Sequence, residues 1–320
     1  MNQNKQSKIR SVLKSIAWVL LVQFLLINIS GSFYGYKLTY FYDSPSQPTI
    51  MATKNIFLKT WRLFTGPHFY KSTIEEVPHL PYETVHLTTS NRLILEGWYI
   101  PVDSSKGTVV LVHGMSQNKS MLLSEAYEFM YLGFNVMLID LRAHGNSNGN
   151  ISTIGFLESE DVKLAYDYVA GKGERNIILY GESLGATVIT KAIYDYDLSP
   201  SRIILEMPFE KLEKLFGKRG AMLGFPQEPF GWLVTFWASI ERGFNAFKVN
   251  TSKYAEKIKC PVLLEYGALD KTIPTEDTHS IFKHIASNNK KLVEYEKADH
   301  EFFLNKDPMK WRKEIEDFLR

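Results

Sequence analysis

A serine held between two glycines, Gly181-Glu182-Ser183-Leu184-Gly185, is the part of this chain whose spacing most directly implies chemistry. The apolar run 176–179 reads as a strand, and residues 186–193 read as a helix. A strand that turns this abruptly into a helix leaves no room for side chains at the flanking glycines. The same turn lifts the Ser183 hydroxyl above the sheet, at a helix N-terminus whose dipole favours developing negative charge. These residues describe a nucleophile. A serine hydroxyl is weak at neutral pH, so a base and an orienting acid must lie elsewhere in the chain.

Downstream, residues 260–267 read as a buried strand, and Asp270 follows its C-terminal end, where catalytic groups gather in open α/β sheets. A helix starting near Pro274 and a strand over 291–295 come next, and then the loop Ala298-Asp299-His300-Glu301. The order Ser183, Asp270, His300 suits nucleophile, acid and base. Glu206, ending the strand 202–205, is the alternative acid, whereas the Asp299 side chain should point away from its neighbour His300. His144 follows a strand and could border the site, while His68, His79, His86, His279 and His284 read as ordinary surface residues. The last helix should hold the His300 loop, with Asp307 as N-cap, Pro308 in the first turn, and Trp311, Ile315, Phe318 and Leu319 on one face. Oxyanion donors are expected from the backbone N–H of Leu184 and that of Met115, in the loop after the strand 108–112. In that loop His113 and Gly114 should approach the substrate.

Taken in order, residues 95–101, Leu111-Val112-His113-Gly114, Asp140-Leu141-Arg142-Ala143-His144-Gly145, Gly181 to Gly185, Gly267 to Asp270 and Asp299-His300 resemble the α/β-hydrolase superfamily. The likeness is to single-domain serine hydrolases of the monoacylglycerol-lipase and serine-aminopeptidase kind, and it covers about residues 82–320. It implies a mostly parallel eight-stranded sheet flanked by helices, with a helical cap after the sixth strand. It also implies Ser183, Asp270 and His300 as triad and Met115 and Leu184 as oxyanion hole. Two departures stand out: no His-Gly-Gly-Gly run is present, and Ala143 occupies a turn position that is usually glycine.

Composition suits an enzyme with one large core, at 45% hydrophobic and 22% charged residues. With 37 Lys plus Arg against 35 Asp plus Glu, no basic field for nucleic acid arises. No nucleotide-binding glycine loop or Cys/His metal cluster is visible, so no cofactor or metal is expected; Cys260, the single cysteine, reads as a small core residue. The sequence leaves the oligomeric state open.

Lys5, Lys8, Arg10 and Lys14 precede an apolar run over 16–29, the pattern of a segment that keeps its N-terminus cytoplasmic and exports the chain downstream of it. Residues 1–36 therefore read as a signal anchor, with the catalytic domain on the extracytoplasmic side. Ser30-Gly31-Ser32 permits a second reading, a signal cleaved to release a secreted protein, and an amphipathic surface helix is a third. Residues 37–80, with Pro45, Pro48, Pro67 and Pro78, form a connector rich enough in aromatics to pack on the domain at 81–320. Helices are expected over 120–132, 154–170 and 184–194, alternating with strands. The rhythm stops over about 208–258, an aromatic cap from which Phe209, Trp232 and Trp237 are expected to line an acyl pocket, although each ring could equally pack the cap onto the core. The resulting expectation is a serine hydrolase of acyl or lipid-like esters. A peptidase or amidase, and a non-catalytic binding protein, are the alternatives.

Overall fold

The apolar N-terminal run folds as one helix, α1 (Gln3–Leu38), in a computed structural model that describes residues 3–43 and 55–320. Pro45 and Pro48 of the connector lie outside the described residues. At 1.5 Å per residue, the 36 residues of α1 extend roughly 54 Å, against ~30 Å for a hydrocarbon core. Side chains 6–27 are exposed all round, although most from residue 16 onward are apolar, so this stretch finds no partner surface on the protein. From Gly31 onward one face is buried. The helix is long and apolar enough to cross a membrane.

After α1 the chain forms β1 (Phe41–Tyr42), then α2 (Ile56–Thr65) and β2 (Phe69–Tyr70), which pairs parallel with β1. Phe41 is fully buried against His144, at 4.5 Å between ring centroids. Hydrogen bonds from Ser30 Oγ to Phe64 O and from Tyr34 Oη to Leu63 O, both 2.6 Å, fasten α2 alongside α1. The outer face of α2 exposes Ile56, Phe57 and Trp61 beside Lys59 and Arg62.

The main sheet contains β3 (Glu83–Thr88), β4 (Ile94–Ile100), β5 (Thr108–Val112), β6 (Asn135–Ile139), β7 (Ile177–Glu182), β8 (Arg202–Glu206), β9 (Val262–Gly267) and β10 (Lys290–Tyr295). Its order is β10-β9-β8-β7-β5-β6-β4-β3, with β4 antiparallel to both of its neighbours, β3 and β6, and the other neighbours parallel. Strands β5, β6, β7 and β9 are buried at every residue, which explains their continuous apolar runs. Flanking them are α3 (Leu123–Tyr131), α4 (Ser159–Gly171) and α5 (Leu184–Tyr196). The helix expected from residue 154 begins only at Ser159. The Glu158 carboxylate gathers the hydroxyls of Ser152 and Thr153 and the N–H groups of Thr153 and Gly155 into a turn before it.

Two cap helices, α6 (Leu212–Met222) and α7 (Gln227–Arg242), follow β8 and pack closely because glycines face their partners. A Cβ at Gly231 would lie 2.1 Å from the Glu213 carbonyl oxygen. The opposite side of α7 receives α1. Cβ atoms at Gly31 and Gly35 would meet Leu233 at 2.7 Å and the Ala238 nitrogen at 2.7 Å. Gly31, from the stretch that suggested a cleavage site, thus makes room for the Leu233 side chain, and Gly35 lets the two backbones approach. Arg242 completes the joint, donating from Nε to Thr39 Oγ1 and from Nη2 to Tyr36 O at the C-terminal end of α1. The chain ends with α8 (Thr251–Ala255), α9 (Thr275–His284), α10 (Phe303–Lys306) and α11 (Pro308–Leu319), the last capped by Asp307 as expected.

One row of the sheet is unusual in charge. Glu182, Glu206 and Glu265 stand in register at the ends of β7, β8 and β9, all buried. Glu206 Oε1 accepts from Trp311 Nε1 at 2.7 Å and Glu265 Oε1 from Tyr295 Oη at 2.8 Å, while their Oε2 atoms have no partner. Burial raises Glu206 to about 8 and Glu182 to about 7, and pushes Glu265 well up. Glu206 and Glu265 are therefore held largely protonated near neutrality, while Glu182 stands close to its midpoint.

Two outcomes are expected. Gly35→Val should lower unfolding stability by about 1–3 kcal/mol through overpacking, read as a fall in the denaturation midpoint of the full chain in detergent; an unchanged midpoint would remove the α1–α7 joint from the account. A carboxyl whose pKa is raised on folding contributes stability that is present below its unfolded value near 4.5 and lost as pH climbs through about 8. Glu206→Gln, which keeps an acceptor for Trp311, should therefore lose about 1–3 kcal/mol less than wild type between pH 6 and pH 9, and equal losses would refute a protonated Glu206.

Candidate active site

The Ser183 turn is fixed by two steric contacts. A Cβ at Gly185 would lie 2.1 Å from the Val112 carbonyl oxygen, and one at Gly181 would lie 2.6 Å from the Gly185 carbonyl carbon. Strand β5 and the start of α5 therefore touch through backbone, and Ser183 is left at φ 51°, ψ −107°, a conformation that side-chain-bearing residues rarely adopt. The Ser183 N–H donates to the Glu206 carbonyl at 2.7 Å, tying the turn to β8.

Ser183 Oγ lies 3.1 Å from His300 Nε2, and His300 Nδ1 lies 2.7 Å from Asp270 Oδ2. The second Asp270 oxygen accepts the N–H groups of Thr272 and Ile273 at 2.7 and 2.8 Å, which fixes the carboxylate. A hydroxyl donating to an imidazole whose other nitrogen donates to a buried carboxylate can deliver an alkoxide-like nucleophile and hold the proton released. Asp299 turns away: its Oδ1 accepts the N–H groups of Lys271 and His300. Glu206 is engaged with Trp311 beneath the turn and does not reach His300.

Beside Ser183, the backbone N–H groups of Leu184 and Met115 donate to no protein group among the described residues. The Met115 loop is braced by Gln117, which accepts the Gly114 N–H at 2.7 Å and donates to Glu182 Oε1 at 3.2 Å. Gln117 thereby links loop and serine turn, and no motif in the sequence marks it. His113 is fully buried, donating from Nδ1 to Gly114 O and accepting the Leu141 N–H at Nε2. Burial lowers its pKa to about 4, so it is a neutral support for the loop and has no nitrogen left for a substrate. His144 packs behind it at 5.1 Å between centroids, also buried. Ala143 adopts φ 63°, which is why glycine is the usual residue in that turn.

A cavity of about 440 Å³ opens at His300. Its apolar walls come from Tyr34 and Leu38 of α1, Pro67 and Phe69 of the connector, and Phe230 of α7. Met115, Ser116, Arg219 and Thr272 supply its polar and sulfur atoms. The cap residues expected to line it do not. Phe209 is buried near α5, and its carbonyl accepts from Thr251 and Thr187. Trp232 is half exposed and stacks on Phe236, and Trp237 packs against α1. The helical phase of α6 and α7 turns Arg219 and Phe230 to the cavity instead. A cleft of about 550 Å³ on the other side of Ser116 reaches neither Ser183 nor His300.

Residues 103–232 and 238–307 match the family model described as serine aminopeptidase, S33. The chain is 27% identical over 229 residues to the uncharacterized protein YqkD of Bacillus subtilis, covering 70% of this chain and 75% of that one. It is 25% identical over 225 residues to an uncharacterized membrane protein of Saccharomyces cerevisiae, YNL320W, covering 69% and 74%. Among solved structures, the esterase Pf2001 of Pyrococcus furiosus superposes with a TM-score of 0.64 at 25% identity, over 78% of this chain and 96% of the esterase. Strand order, serine turn and family match agree: the chain belongs to the serine aminopeptidase S33 family of the α/β-hydrolase superfamily and is a hydrolase by fold and descent.

Proposed function

We propose that this hydrolase cleaves carboxylic esters of acyl or lipid-like character through an acyl-enzyme on Ser183. The observation that carries the reading is the continuous hydrogen-bonded line from Ser183 Oγ through His300 to Asp270 beside an apolar cavity. His300 takes the Ser183 proton as Oγ attacks the ester carbonyl, and the N–H groups of Leu184 and Met115 receive the oxyanion. Collapse expels the alcohol, protonated by His300, and a water activated by the same imidazole releases the acid. Asp270 holds the tautomer and stabilises the imidazolium.

The family description favours a second reading, removal of an N-terminal aminoacyl group. Its substrate would bring an ammonium group, whereas the fixed charge lining the cavity is the guanidinium of Arg219. Like charges at that distance scale are disfavoured in a low-dielectric site, so the ester reading is preferred.

Helix α1 is proposed to span the membrane, with Lys8, Arg10 and Lys14 on the cytoplasmic side and residues 37–320 outside. The last turns of the anchor then form part of the substrate cavity.

Ser183→Ala and His300→Ala should each abolish labelling by a fluorophosphonate and reduce acyl-ester turnover by about 10⁴-fold or more. Full esterase activity in Ser183→Ala would overturn the mechanism, and faster cleavage of aminoacyl amides than of acyl esters by wild type would favour the peptidase. Carbonate-washed membranes should retain the chain with residues 1–36 attached; a soluble chain beginning after Ser32 would contradict the anchor.

A further inference from the structure

Arg219 has no carboxylate partner. Its Nη1 lies 3.8 Å from the Met115 sulfur, a weak acceptor, and no other hydrogen bond or ion pair involves the side chain among the described residues. The stretches outside the described residues, 1–2 and 44–54, contain no Asp or Glu, so they hold no acidic side chain for it either. An arginine that merely escaped burial would turn its head to bulk water. Here the head lies in the cavity that contains His300, against the Met115 loop. Burial draws its pKa down only to about 10, so the guanidinium stays charged at neutral pH. An unpaired charge in such surroundings is costly unless an anion arrives to meet it.

Ser116 is a second observation at the same place. It follows Met115, has a left-handed φ of 62°, and lines the cavity together with Arg219. Its Oγ is covered and has no hydrogen-bond partner among the described residues. A planar guanidinium with an adjacent hydroxyl is a donor set suited to the two oxygens of a carboxylate or phosphate. The remaining walls are apolar, and two of them, Tyr34 and Leu38, belong to the membrane helix. The cavity therefore combines a surface for an acyl chain with one fixed positive charge.

We propose that Arg219 and Ser116 form an anion subsite, and that the ester hydrolysed is an amphiphile bearing a carboxylate or phosphate close to its scissile bond. This deepens the ester-hydrolase reading for the reaction, but binding at the subsite does not depend on that chemistry. Arg219 is a specificity residue in this account and takes no proton.

The test uses the full chain carrying Ser183→Ala in a neutral maltoside detergent, so that binding is measured without turnover. The probes share a lauroyl chain: 1-lauroylglycerol, 1-lauroylglycerol 3-phosphate, and the lauroyl ester of glycolic acid. The charged probes should bind about 10–100-fold more tightly than the neutral one, the range of a charge-assisted hydrogen bond made in a buried site. Adding Arg219→Met should collapse that preference towards unity, and Arg219→Lys should keep part of it. Preference for the phosphate alone identifies a phosphate subsite, and preference for both anions a general oxyanion subsite; each supports the proposal. Equal affinity for all three probes, or a preference that survives Arg219→Met, overturns it. Wild type that cleaves no ester while Ser183→Ala still prefers anions would sink the reaction and leave the subsite standing.

Discussion

The backbone contact between Gly185 and the Val112 carbonyl is the constraint on which the site depends. With a Cβ there, the start of α5 could not lie against the end of β5, and the strained Ser183 conformation would have nothing to hold it. Because β5 and β7 are neighbours in the sheet, the same contact also brings the Met115 loop beside the serine turn. Ser183 and the backbone N–H groups of Leu184 and Met115, the proposed nucleophile and oxyanion donors, are thereby set by one close approach. The strain is borne by strands buried on both faces, where displacement would open voids throughout the core.

The N-terminal helix, long and apolar enough to cross a membrane, also has a structural role. Its side chains 6–27 are exposed, basic at first and mostly apolar from residue 16; its last turns are part of the hydrolase, docked on α7 through Gly31 and Gly35 and facing the cavity through Tyr34 and Leu38. The end of α1, the cap and the cavity form one packed unit in which Tyr34 lies 5.0 Å from Phe230 between ring centroids. A movement of α7 that widens the cavity must work against the α1 joint. The exposed Phe57 and Trp61 of α2, beside α1, extend the apolar surface at the same end of the molecule.

The features legible in the sequence were those that local chemistry specifies. The serine turn is dictated by two glycines between a strand and a helix, and the chain order picked out the Asp270 and His300 that the fold brings within hydrogen-bond distance of one another and of Ser183. The sheet was legible because its buried strands are uninterrupted apolar runs. The helical cap after the sixth strand was legible too, but not which of its side chains line the cavity, because two short helices rich in aromatics on every side leave their rotation about the axis undetermined. Phe209, Trp232 and Trp237 were therefore chosen for ring size and turned out to pack elsewhere. Gly31 carried no packing signal as a sequence, because its contact with Leu233 depends on where the fold places α7. Gln117 and Arg219 carry no motif; one matters through a bridge across 65 positions of chain, the other through the carboxylate it lacks.

An acyl group carried on Ser183 can be trapped as a covalent intermediate. The full chain would be quenched in acid during turnover of an activated acyl ester, digested, and sequenced by tandem mass spectrometry. The account places the acyl mass on Ser183 in wild type and predicts that it disappears once substrate is exhausted. An acyl group found on another side chain such as Cys260, or turnover that proceeds with no covalent adduct at any quench time, would contradict it.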